Sequence, residues 1–282
     1  MYRLAISGEN YFQQWEDGKM YPVLLSLGRI HIYSYGLMVA LAIFGGLLWV
    51  GSLARKRGIA TFEQITDFAL YVIIGGLFFA KLVNVLYEFR TYLHNPAAIF
   101  SGFTGSFFGA VIGGVLVGVG YTKRKQINTW RLADLIALYI PLGHILGRIG
   151  CLLSGCCYGV ASNLPWALPC AAGDLTLRHP TQIYEILANM LIFAVLIIYD
   201  RRVKQGGSRY FDGFIFGLYV SLYCFARTVV EAFRDSQILA FGWLRTTQVF
   251  SLAIGLAVLI YLFIRLKKQA RNERCATSPL HS

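Results

Sequence analysis

Seven long apolar runs, separated by short polar or basic stretches, occupy most of the chain: residues 32–54, 66–87, 97–121, 132–153, 182–199, 211–232 and 246–264. Each is close to the ~20 residues that a helix needs to cross a bilayer. Backbone polar groups find no partners in hydrocarbon, so runs of this length predict helices. The pattern therefore predicts an all-α integral membrane protein with seven transmembrane helices in a single domain, residues 1–282. Residues 1–31 are polar and aromatic without a clear period. Tyr11, Phe12, Trp15 and Tyr21 there suit an interfacial segment at headgroup level. Residues 154–180 form the longest gap and carry Pro165, Pro169 and Pro180, so a loop is expected there.

Composition agrees with a membrane chain, with 56% hydrophobic residues and a mean hydropathy of +0.56. The first residues lack a basic start followed by an apolar core, so no cleavable signal peptide is expected. The net charge of +12 would suggest nucleic acid for a soluble protein. Here the charge sits in clusters between apolar runs, which points to anionic lipid headgroups and not to nucleic acid. Clusters after the first, third, fifth and seventh runs hold 16 of the 26 Lys and Arg residues, among them Arg55, Lys123, Arg201 and Arg265. The positive-inside rule then sets the N-terminus outside and the C-terminus in the cytoplasm, with residues 265–282 as a basic cytoplasmic tail.

One stretch stands apart chemically. Residues 143–159 read Gly-His-Ile-Leu-Gly-Arg-Ile-Gly-Cys-Leu-Leu-Ser-Gly-Cys-Cys-Tyr-Gly. An arginine closing an apolar helix is expensive and usually marks a site. Glycines beside it allow close approach of backbone or ligand. The topology sets this stretch toward the outer side with Tyr35, Lys81, Asn84, His179, Gln182, Tyr184, Glu185, Arg227, Glu231 and Arg234. Pairing accounts for part of the set, since Arg227 and Glu231 are one turn apart and Glu185 can meet an arginine elsewhere. Arginines outnumber carboxylates, however, and the surplus calls for an anion such as a phosphodiester, which fits a two-pronged guanidinium.

Tyr35 is either an aromatic-belt residue or a hydroxyl in the polar cavity. His31, His94 and His144 are expected at headgroup level. His179 opens the fifth run, where a helix N-terminus favours anions. Cys151, Cys156, Cys157 and Cys170 are expected on one outer loop. Cys-x4-Cys-Cys is not a familiar zinc spacing and lacks nearby histidines, so no metal and no cofactor are expected. A disulfide, a reactive thiolate beside Arg148 and small inert side chains remain as the cysteine alternatives.

These residues resemble the bacterial prolipoprotein diacylglyceryl transferases. The run from Gly147 to Gly159 is similar to that family's Gly-Arg-x-Gly-Asn-Phe-x-Asn-Gly-Glu-x-x-Gly. Tyr35-Gly36-Leu37-Met38 resembles its first-span tyrosine motif. Residues 178–185, Arg-His-Pro-Thr-Gln-Ile-Tyr-Glu, resemble Arg-His-Pro-Ser/Thr-Gln-Leu-Tyr-Glu. Residues 227–234, Arg-Thr-Val-Val-Glu-Ala-Phe-Arg, resemble Arg-Phe-x-x-Glu-Phe-Phe-Arg, and Gln248 falls where a glutamine opens the last span. The resemblance implies transfer of a diacylglyceryl group from phosphatidylglycerol to the lipobox cysteine of prolipoprotein signal peptides, in the bacterial inner membrane. It implies that Arg148, Arg234, Gly147, Gly150 and Gly159 bind phosphatidylglycerol, and that Arg227, Tyr35 and His179 serve catalysis.

The departures are specific. Phe108 stands at the family's histidine, Cys151 and Ser154 at its two asparagines, and Cys156 at its glutamate. His179, or a thiolate at Cys156 or Cys157, then becomes the candidate to replace the missing proton carrier. The alternatives are a divergent relative using the same lipid cavity with another acceptor, and a non-catalytic lipid-binding or transport protein.

Overall fold

A computed structural model of the chain describes residues 21–27, 30–94, 105–171, 174–204, 211–234 and 245–277. It has eight helices and two hairpins in these segments. β1 (Val23–Leu27) and β2 (Ile30–Tyr33) precede α1 (Ser34–Lys56), α2 (Phe62–Tyr87), α3 (Phe89–His94), α4 (Phe107–Arg124) and α5 (Thr129–Leu153). β3 (Leu168–Ala171) and β4 (Asp174–Arg178) lead into α6 (Thr181–Lys204), α7 (Phe214–Glu231) and α8 (Thr246–Thr277).

Among the described residues, six helices are long and apolar enough to cross a membrane: Ser34–Lys56, Phe62–Tyr87, Thr129–Leu153, Thr181–Arg202, Phe214–Glu231 and Thr246–Arg271. Polarity is inverted relative to a soluble bundle. Phe44, Phe78, Leu191 and Phe263 are exposed, whereas Gln182, Glu185, Asn189 and Glu231 are buried. That is the distribution of an integral membrane protein. The third predicted run is the one that differs. Residues 97–104 lie outside the described residues, and α4 has 18 residues that close on Lys123 and Arg124.

Two expectations about loops change. Part of the N-terminal segment is a β-hairpin, paired from Val23↔Tyr33 to Leu27↔Ile30. Its end is tied to α1, where the Ser34 amide donates to the Pro22 carbonyl at 3.0 Å. Tyr11, Phe12 and Trp15 lie outside the described residues. Residues 154–180 also hold a hairpin, with Leu168 opposite Arg178 and Pro169 opposite Leu177.

The chain forms two compact units, one of residues 47–135 and one of residues 1–46 with 136–282. In the first, the Thr61 hydroxyl and Gln64 side chain form a capping box that starts α2. Helices α2 and α4 meet through glycine. A Cβ on Gly113 would lie 2.4 Å from the Phe79 Cβ and 2.8 Å from the Gly75 carbonyl. Such small residues let membrane helices approach closely. Lys81 stands 5.6 Å over the Tyr92 ring, and Asn84 donates to the Tyr92 hydroxyl at 2.9 Å. Phe108 is exposed in this unit, edge-on to Phe107 at 6.0 Å.

In the second unit, α1 lies on α5. The Tyr139 hydroxyl donates to the Ala42 carbonyl at 2.8 Å. A Cβ on Gly150 would lie 3.1 Å from the Met38 Cβ and 3.2 Å from the Tyr35 Cα. Helices α7 and α8 close over Gly217 against Leu262 and Gly255 against Cys224. These contacts join the start of α1 to the end of α5, and α7 to α8.

Candidate active site

The end of α5 sets the first part of the site. Gly155 has φ +67. Its amide donates to the Leu152 carbonyl at 3.2 Å, and the Cys156 amide donates to the Cys151 carbonyl at 3.1 Å. This is a Schellman ending with glycine as the left-handed residue. That ending commonly brings together the side chains of the two residues its outer bond connects, here Cys151 and Cys156. Cys157 then takes φ +65, unusual for a residue with a side chain. Its Sγ returns to the other two, and all three Sγ atoms lie within 4.8 Å of one another. The thiols are free. Two side chains from the start of α6 hold the turn: Gln182 donates to the Cys156 carbonyl at 2.6 Å, and Thr181 donates to the Cys157 carbonyl at 2.7 Å.

The sequence expectation of four cysteines on one loop is corrected here. Cys151 belongs to the last turn of α5 and is buried, because the helix runs on to Leu153. The side chain of Cys170 lies outside the described residues. Cys157 accepts hydrogen bonds from Cys151 and Cys156 and stands near Arg234 and Arg148; against the opposing effect of burial, these hold its thiol down at about 5. Burial instead pushes the Cys156 thiol up.

A charged network forms the second part. Glu185, on the second turn of α6, is 5% exposed. Its carboxylate meets Arg148 Nε at 2.7 Å, Arg227 Nη1 at 2.9 Å and Arg234 Nη1 at 3.7 Å. Glu231 meets Arg227 Nη2 at 2.7 Å and Arg234 Nε at 4.0 Å. Thr247 donates to Glu231 Oε1 at 2.9 Å, and Arg245 donates to the Glu231 carbonyl. Both predicted pairings exist. Among the described residues, Arg148, Arg227 and Arg234 share two carboxylates, and the surplus of that set is positive. In a low-dielectric setting such a surplus favours an anion.

The remaining predicted residues separate into groups. Tyr35 opens α1 beside Gly150, within electrostatic range of Arg148 and the three cysteines. Gly159 is a packing residue, since a Cβ there would lie 2.2 Å from the Phe233 carbonyl and 2.8 Å from the His179 Cβ. Gly147 has open space where a side chain would project. The His179 ring is held by the Tyr184 hydroxyl at 3.0 Å and by Phe233 at 5.1 Å between ring centres. The Trp166 indole N–H also donates to the Tyr184 hydroxyl, at 2.8 Å. Arg178 stacks 4.9 Å over Tyr158. Lys81 and Asn84 belong to the other unit and are placed there with Tyr92.

His144 corrects another expectation. It lies inside α5, 4.8 Å from the Tyr223 ring, and not at a helix end. Its spacing of four from Arg148 puts both on one face, the signal that would have joined them. Arg245 and Thr247 also escaped notice; the signal was their position beside Gln248, whose side chain donates to the Thr228 carbonyl at 3.1 Å.

Comparisons with known proteins identify the family. A family model described as prolipoprotein diacylglyceryl transferase matches residues 22–264. Three relatives carry the name phosphatidylglycerol–prolipoprotein diacylglyceryl transferase. That of a Nostoc species is 33% identical over 256 residues, covering 86% of this chain and 90% of its own. That of Clostridium tetani is 32% identical over 259 residues, covering 89% and 100%. That of Pseudomonas aeruginosa is 33% identical over 265 residues, covering 90% and 97%. With most of its length matched, the chain belongs to the prolipoprotein diacylglyceryl transferase family.

Proposed function

We propose that the chain transfers the diacylglyceryl group of phosphatidylglycerol to the lipobox cysteine thiol of prolipoproteins, as its relatives' names describe. The observation that carries this reading is the positive surplus of Arg148, Arg227 and Arg234 on Glu185 and Glu231. The reaction displaces a phosphate from carbon, so negative charge grows on the leaving oxygen. Guanidiniums already fixed by buried carboxylates meet that charge without reorganising. Arg148 and Arg234 hold the phosphate, with Gly150 and Gly159 setting the close packing around them and Gly147 leaving open space beside Arg148. Arg227 stands at the reacting end, and Tyr35 lines the thiol side. His179 serves as a proton carrier only if its ring leaves Tyr184.

On the same reading the chain crosses the bacterial inner membrane seven times, with α4 as the third span. The N-terminus is outside and the C-terminus cytoplasmic. Residues 1–31 lie at the interface and residues 265–282 form the cytoplasmic tail. The acceptor arrives as the signal peptide of a prolipoprotein.

The test is incubation of the purified chain with phosphatidylglycerol and a lipobox peptide. Mass spectrometry should show the peptide gaining a diacylglyceryl thioether, with glycerol phosphate released. Complementation of a strain depleted of its own transferase is the cellular counterpart. Absence of both overturns the reading. Phe108 and Cys156, which stand where the family has histidine and glutamate, favour one second reading: the same lipid site with a different thiol acceptor. A product formed with a small thiol but not with the peptide selects it.

A further inference from the structure

We propose that Cys151, Cys156 and Cys157 form a three-thiolate site for a thiophilic divalent cation of the zinc class. Its open fourth position takes the thiol of the acceptor cysteine. This deepens the transferase reading and rests on it.

The geometry is that of a built site. The three Sγ atoms already lie within 4.8 Å of one another. Tetrahedral zinc with ~2.3 Å bonds sets its sulfurs roughly 3.8 Å apart, so the cluster needs to close by about 1 Å at most. The backbone is arranged for convergence. The helix ending joins Cys151 to Cys156, the left-handed Cys157 turns its side chain back, and Gln182 and Thr181 pin both carbonyls of the turn. Partners that orient the ligand-bearing backbone are the second layer such centres depend on. Cys151 is buried while Cys156 and Cys157 are part-exposed, which leaves a side open to a fourth ligand. Three protein ligands with one free position are the pattern of catalytic and not structural zinc.

The charges agree. Three thiolates around a divalent cation leave one net negative charge, and a fourth thiolate leaves two. Arg148 and Arg234 lie within electrostatic range of Cys157 and offset that excess. The chemistry also addresses what the departures remove. This chain has Phe108 and Cys156 where the family has a histidine and a glutamate. A coordinated thiol is deprotonated outright, so the acceptor needs no side-chain base.

The step balances. The acceptor's S–H bond breaks as its sulfur enters the fourth position, and the proton passes to water. The sulfur lone pair forms an S–C bond at the glycerol carbon that bears the phosphate. The C–O bond breaks with its electron pair on the phosphate oxygen. Glycerol phosphate leaves and takes up a proton from water according to its second pKa, near 6. The product thioether is neutral and a poor ligand, so it departs. Nothing is oxidised or reduced.

The experiment titrates the full-length chain, purified in detergent with reductant and stripped by a chelator, with Co2+ and then Zn2+. The expected result is one Co2+ per chain, with thiolate-to-cobalt charge-transfer absorption and the intense visible bands of a tetrahedral ion, both removed by Zn2+. Cys151→Ser, Cys156→Ser and Cys157→Ser should each weaken binding by more than the roughly 10–100-fold that loss of an outer partner costs. Circular dichroism establishes that each variant is folded. A lipobox peptide should shift the visible bands, and its Cys→Ser analogue should not. Folded wild-type chain without the charge-transfer band overturns the site. So does binding that survives all three substitutions. Visible bands indifferent to the peptide overturn the role of the fourth position. Undiminished transfer by the metal-free chain overturns this inference and leaves the proposed function standing. Metal binding with the peptide-induced shift, but no thioether product, supports the site and overturns the proposed function.

Discussion

Glu185→Gln isolates the charged network. The carboxylate is 5% exposed and stands 2.7 Å from Arg148, 2.9 Å from Arg227 and 3.7 Å from Arg234. The amide keeps the volume and one acceptor oxygen. It loses the charge and turns an N–H toward a guanidinium that can only donate. Arg227 and Arg234 then share Glu231, and Arg148 loses the carboxylate it meets. Removing one partner of a buried ion pair costs about 3–5 kcal/mol, because the other charge stays buried. At ~2 °C per kcal/mol, the lower figure for chains of a few hundred residues, the apparent unfolding temperature should fall by at least ~6 °C. The vacated charge also sharpens the demand for an anion, so phosphatidylglycerol should raise the variant's unfolding temperature more than the wild type's. The assay is thermal unfolding in detergent, followed by tryptophan fluorescence, with phosphatidylglycerol or neutral phosphatidylcholine added. In the Glu185→Gln/Arg148→Gln cycle, direct contact should appear as a coupling of ~0.5–3 kcal/mol. A Glu185→Gln chain that unfolds at the wild-type temperature, with additive losses in the cycle, refutes the claim that Glu185 holds these arginines together.

Arg148→Gln should lower phosphatidylglycerol affinity by about tenfold or more, since each charge-assisted hydrogen bond contributes ~1.5–3 kcal/mol; Arg148→Lys should fall between, and vesicle-binding measurements on both decide it. Gly159→Ala puts a methyl against the Phe233 carbonyl and should destabilise by at least the ~1–3 kcal/mol typical of overpacking, seen as a lower unfolding temperature. Reporter fusions after Lys125 and after Lys268 should read as cytoplasmic and one after Asn163 as external; an external signal at Lys125 sinks the proposed topology.

Six of the seven spans are legible because a bilayer imposes length and hydrophobicity, which survive any detail of packing. Predicted runs at 132–153 and 246–264 match the starts or ends of α5 and α8 within a few residues. The hairpin of β1 and β2 was not legible, since a short interfacial ladder leaves no long period to read. At the site, single-residue chemistry was readable: Arg148, Arg227 and Arg234 were singled out as cations in need of partners. Their joint dependence on Glu185 was not, because it joins residues 42 apart in the chain, from α6 to α7. The cysteines show the limit most clearly. Their spacing does not show that three thiols meet within 4.8 Å. Here a helix ending does the gathering. Gly155 after an apolar helix was the available sign that Cys151 and Cys156 would meet.

The two halves of the site share one helix turn, and this bears on how the reaction would proceed. Arg148 and Cys151 are three residues apart on α5, a spacing that sets side chains roughly 5–6 Å apart at Cβ. Displacement at carbon brings the nucleophile in on the side opposite the leaving group. The anion site and the thiol site must therefore be neighbours without coinciding. Were the acceptor sulfur held among the arginines, its charge would compete with the phosphate for the same guanidiniums. Held among the three cysteines, it would lie about one helical turn from Arg148, clear of the guanidiniums proposed to hold the phosphate. Glu185 fixes the Arg148 guanidinium at 2.7 Å, while the helix ending gathers the thiols. On the proposed reading, the last turn of α5 separates entering from leaving charge. Gly155→Ala, which strains the left-handed residue that ends the helix, should reduce kcat far more than it weakens phosphatidylglycerol binding. An equal loss in both would show that the turn supports only the lipid site.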